Sequence, residues 1–137
     1  MKTRYIQVSV TSGILFGVMD ALINANPLAQ KLFSVFEPIA RKSIDIPMGI
    51  TIDLIFGFAM GGIFLLLYQS LPGRSNVMKG LGFGFLVWFF RVAMQVASQW
   101  MMFSIPPIAL VYILVCGLIE MLILGLIYSL LLKPSMK

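Results

Sequence analysis

The chain has 137 residues, of which 60% are apolar and only 11% charged, whereas a soluble domain carries roughly a quarter charged residues. That imbalance excludes a water-soluble fold. The net charge of +5 is not arranged as the basic, aromatic-interleaved stripe that nucleic acid demands, so no nucleic-acid partner is expected.

The apolar residues arrive in runs long enough to cross a hydrocarbon core, which takes about 20 helical residues at about 1.5 Å each. Four such spans are predicted, at 6–25, 46–69, 77–103 and 107–132. The expected fold is therefore all-α: a single transmembrane domain, 1–137, built as an integral membrane four-helix bundle with a short interfacial amphipathic helix in the first outer loop.

The first span follows Lys2 and Arg4 and could pass for a secretory signal, but Asp20 interrupts the end of its apolar run, so it is taken as a span. The loop at 26–45 opens with Asn26-Pro27, an N-cap followed by proline at the first helical position. Leu28, Leu32, Val35, Phe36 and Ile39 recur there at spacings of three and four, which predicts a helix lying in the interface plane or over the bundle mouth. The third and fourth spans are joined by a tight turn at Ser104–Pro107.

Lys2, Arg4, Arg74, Lys79, Lys133 and Lys137 fall on one side of this topology, against Lys31, Arg41 and Lys42 on the other. The excess of basic residues marks the cytoplasmic side, so both termini are expected in the cytoplasm of a bacterial or archaeal plasma membrane. Tyr5, Tyr68 and Tyr128 are expected in the aromatic belt on that side, with Trp100 in the outer belt.

Glycines recur at helical spacing, Gly13 with Gly17 and Gly57 with Gly61. Such pairs let helix backbones approach closely, within the chain or between copies. Gly80, Gly82 and Gly84 lie two apart, a spacing that does not put all three on one face. A faint repeat matches Asp20-x-x-x-Asn24 to Arg91-x-x-x-Gln95 and Ile52-Asp53 to Ile119-Glu120, as two hairpins duplicated in parallel would, but the matched residues are too few to stand above chance.

Each span holds one ionisable residue: Asp20, Asp53, Arg91 and Glu120. A charge near the bilayer centre costs about 2.5–3.5 kcal/mol, so these residues should face the interior and pair. Rise alone puts Arg91 about 18 Å along its helix from Lys79 and Glu120 about 20 Å from Lys133, which levels the two and predicts an ion pair. Asp20 and Asp53 should lie higher, near Asn24, Gln95 and Gln99, in a polar cluster that opens outward. Three carboxyls against one arginine favour at least one acid being protonated or cation-bound.

No histidine is present and Cys116 is the single cysteine, which leaves no basis for a metal site, a cofactor or a hydrolytic catalytic set. Ten methionines are spread as apolar filler. Small multidrug transporters carry a glutamate in the middle of the first span, where this chain has Asp20 toward the far end. Four-span thiol redox enzymes need cysteine pairs, and the motifs of fluoride channels and glutathione-linked membrane enzymes are also missing, so no family is inferred.

The leading expectation is a non-catalytic accessory or scaffold component, in a homo-oligomer or larger membrane complex, whose charge network holds the bundle or a partner. The alternative is a proton- or cation-linked small transporter or channel using Asp20, Asp53, Arg91 and Glu120. An outward-open polar cavity reaching Arg91 favours the second, and a closed, fully paired network the first. A lipid or quinone site flanked by Phe83–Phe90 stands third.

Overall fold

A computed structural model describes residues 2–132. The helices are α1 (Lys2–Ala25), α2 (Pro27–Leu32) running on into a 3-10 segment (Phe33–Ile39), α3 (Ile46–Leu67), α4 (Asn76–Met102) and α5 (Pro107–Leu131). The four long ones are apolar enough to cross a membrane by length and composition, and their ends fall close to the predicted ones. Lys133 and Lys137, counted in the charge asymmetry, lie outside the described residues.

Local chemistry sets the helix starts. Asn26 Oδ1 accepts from Ala29 N at 2.9 Å, ahead of Pro27 at the first helical position. Asp45 Oδ1 and Ser75 Oγ cap α3 and α4 in the same way, on Met48 N at 3.0 Å and Met78 N at 3.2 Å. Each cap satisfies one of the orphan N–H groups at a helix start.

The chain packs as two hairpins, α1 with α3 and α4 with α5, and glycine sets the approach in both. A Cβ added to Gly57 would lie 2.8 Å from Gly13 N and 2.9 Å from Gly13 Cα. One added to Gly125 would lie 2.9 Å from Gly84 N and 3.0 Å from Gly84 Cα. The two crossings are thus built from the same backbone atoms, with Gly84 standing where Gly13 stands and Gly125 where Gly57 stands. Gly80, Gly82 and Gly84 do not share one face, as expected, since Gly82 lies toward Pro72, but Gly80 and Gly84 are four apart and both lie against α5.

This register tests the sequence repeat. Gly13 and Gly84 are 71 residues apart, as are Asp20 and Arg91, and Asn24 and Gln95, so the first half of the proposed match holds in three dimensions. The second half is off by one. Gly57 and Gly125 are 68 apart, which aligns Asp53 with Met121 and Glu120 with Ile52.

The core lies between the hairpins at the end that carries residue 2. Phe64, Phe83, Met121, Leu124 and Tyr128 are almost wholly buried there. Tyr128 shares a 2.7 Å hydrogen bond with Ser12 Oγ and donates to Gly57 O at 3.0 Å. Tyr68 bonds Asn76 Oδ1, and Tyr5 donates to Phe58 O. The hydroxyls of these tyrosines find internal partners, which makes burial of the ring favourable. Trp100, by contrast, is 70% exposed.

The connector departs from its predicted face. Ala29 is buried and Leu32, Phe33 and Phe36 pack on the Val96, Ile105, Ala109 and Leu110 cluster, while Leu28, Val35 and Ile39 stand exposed. The tighter 3-10 turn has three residues per turn, which brings Phe33 and Phe36 onto one side.

Gly57→Val should cost about 1–3 kcal/mol or more, since its side chain would meet backbone that cannot yield. Gly49→Ala, with nothing within 4 Å of the new carbon, should be neutral or stabilising. Denaturation of the two variants in detergent checks this, and equal midpoints would contradict the glycine crossing.

Candidate functional site

At the end opposite Tyr128, the seam between the hairpins opens into a cavity of about 340 Å³. Asp20 and Asn24 line it from α1, Arg91, Gln95 and Gln99 from α4, and Glu120 from α5. Phe33 and Phe36 reach in from the connector, and Ile23, Val92, Ile113 and Gly117 complete the wall. Six of the seven polar residues singled out from the sequence are thus brought together. The volume is at the low end of the roughly 300–1,000 Å³ range of ligand clefts, suited to a small molecule.

Asp53 is the exception. It lines a separate groove between α1 and α3, with Gly13, Gly17, Ala21, Gly49 and Ile50, and its carboxylate lies against Gly17. Asp20 and Asp53 thus line different recesses. On an α-helix a one-residue difference turns a side chain by about 100°, and Asp53 aligns with Met121 rather than Glu120.

Arg91 sits in a π-helical turn at Phe89–Ala93, where Met94 N bonds Phe89 O. Such turns insert a residue into the helix and recur at functional sites. The expected ion pair with Glu120 needs correction. The guanidinium lies over Phe16 at 4.5 Å and Phe56 at 4.4 Å from their ring centroids, and its Nη1 approaches Met121 Sδ at 3.9 Å. Both rings belong to the first hairpin, so Arg91 reaches across the seam rather than along its own hairpin. A guanidinium is weakly hydrated and stacks well on aromatic faces, which gives it an apolar resting place.

Glu120 is only 6% exposed, and its Oε1 has no hydrogen-bond partner. Gln99 Oε1 is likewise buried without one. On the opposite wall, Asn24 Nδ2 donates to Asp20 Oδ1 at 3.0 Å and to Asp20 O at 2.8 Å. Asn26 fixes the connector above: its Nδ2 donates to Tyr112 Oη at 2.8 Å, and Tyr112 donates to Ile23 O at 2.7 Å. Among the described residues no cluster of three or more cysteine, aspartate or glutamate side chains could hold a metal ion.

Phe16, Phe56 and Phe33 were not singled out from the sequence. Phe16 lies four residues before Asp20, hence on the same helix face, which is the one signal that could have raised it. Within the segment Phe83–Phe90, Phe83 is in the core, and Phe85, Phe89 and Phe90 are exposed on the outside. Comparison with protein-family models, curated proteins and solved structures finds no match to this chain.

Phe16→Leu and Phe56→Leu should each destabilise the protein, and the aromatic contact to Arg91 should account for about 0.5–2 kcal/mol of each loss. A double-mutant cycle with Arg91→Met isolates that share. Purely additive losses would mean that the rings contribute packing alone.

Proposed function

We propose that this is a small multi-pass membrane protein that binds a small polar solute between its two hairpins, in the manner of a proton- or cation-linked transporter. The observation that carries this reading is the polar cavity reaching Arg91. A purely structural charge network would close its ions on one another, because an uncompensated buried charge is costly. Here Glu120 and Arg91 are left unjoined, and a recess with six polar side chains lies between them and the connector. That geometry argues against the accessory or scaffold role.

Placement in a membrane is supported by the outer surface. Within the most apolar window of each long helix only 22–33% is buried inside the chain, and Leu66, Ile55, Phe90 and Ile108 are among the apolar side chains left outside. Lipid covers such surface at no cost. In our reading Lys2, Arg4, Arg74 and Lys79 face the cytoplasm, and Lys31, Arg41 and Lys42 the outer side. The cavity then opens toward the outer face, with α2 and its 3-10 extension lying along the interface.

The cavity should be reachable by a water-soluble reagent. In a Cys116→Ser background, Asn24→Cys and Gln99→Cys should react with a membrane-impermeant thiol reagent added from the side that labels Lys42→Cys. Met121→Cys, buried in the core, should not. Failure to label Gln99→Cys, with Lys42→Cys reacting, would overturn the reading.

A further inference from the structure

The cavity's own donors and acceptors indicate what it takes, and this inference rests on the solute-binding reading above. Its lining holds two carboxyls, Asp20 and Glu120, against one guanidinium. The guanidinium's face is covered, with Phe16 and Phe56 against it and Nη1 near Met121 Sδ. Asp20 has a donor in Asn24. Among the fully buried atoms of the lining, the two left without a partner are both acceptors: Glu120 Oε1, on a side chain 6% exposed, and Gln99 Oε1. Buried acceptors without donors favour a ligand that brings N–H groups. Excess negative charge in the lining favours a cation. A bare metal ion lacks a cluster of ligating side chains here among the described residues. Near the mouth, Phe33 and Phe36 stand 6.2 Å apart, centroid to centroid, and rings of this kind attract a passing cation or an apolar tail.

We propose that the cavity binds a small organic monocation carrying N–H donors, a primary ammonium or a guanidinium, which donates to Glu120 Oε1 and Gln99 Oε1 beneath Phe33 and Phe36. Charge and hydrogen bonding then act together. Charge alone would admit any cation of the right size, whereas the two acceptors select one with protons on nitrogen.

Three probes that share a phenyl ring separate these contributions: 2-phenylethylammonium, its N,N,N-trimethyl counterpart and phenylacetate. Titration calorimetry of the full chain in phosphatidylcholine nanodiscs should show binding of the primary ammonium, at least tenfold weaker binding of the trimethyl compound, and none of phenylacetate. Glu120→Gln should weaken the primary ammonium at least tenfold. Gln99→Leu, at a half-buried position that keeps the helix intact, should weaken it by about threefold while leaving the trimethyl compound unaffected. Equal affinity for the two cations, preference for phenylacetate, or indifference to both substitutions would each overturn the assignment. If phenylacetate binds and Gln99→Cys still labels, the solute-binding reading stands and the cation assignment falls. If none of the probes binds, the cation assignment also falls, and the loss of labelling at Gln99→Cys would take the broader reading with it.

Discussion

Close backbone approach is what the rest of the arrangement is built on. In the membrane setting proposed above, two apolar helices gain little from hiding apolar surface, and association falls to van der Waals contact and internal hydrogen bonds. Gly13 against Gly57, and Gly84 against Gly125, bring backbone against backbone. Each hairpin is thereby a tight unit, and the looser joint falls between the hairpins. Polar side chains at that joint do not disturb the crossings, which is why the cavity can exist without dismantling the fold.

Arg91 shows how the joint manages a charge. Its helix widens into a π turn at that position, and the side chain crosses to two phenylalanines of the other hairpin. Glu120 and Asp20 line the same cavity. The direct contact, however, is aromatic. Glu120 is left with an oxygen free of internal donors, and one side of the cavity gains an acceptor in place of a closed ion pair.

The sequence revealed the spans because length and apolarity are local properties, and it revealed the polar cluster because intramembrane polarity is costly wherever it occurs. Six of the seven cluster residues therefore meet as expected. Asp53 does not, since its direction depends on the rotation of α3, which the Gly57 crossing fixes and composition does not show. The Arg91–Glu120 pair followed from equal heights, but height says nothing about which neighbour a side chain turns to, and the π turn alters that angle. The hydroxyl partners of the tyrosines were illegible for a related reason. A tyrosine suits an interface and a buried site with an acceptor equally well, and only the partners Ser12, Gly57, Asn76 and Phe58 distinguish the two. The repeat was faint in the sequence, and the likeness of the two hairpins shows instead in glycine contacts that no residue-type match displays.

Tyr128 has a mechanical consequence. It holds both Ser12 and the carbonyl of Gly57 from a fully buried position, so the hairpins are pinned together at one end of their shared seam. The cavity occupies the other end, where the connector's phenylalanines bridge the opening. A relative rotation of the hairpins about Tyr128 would therefore displace the cavity end most, while the glycine crossings lie within each hairpin and would not be broken by it.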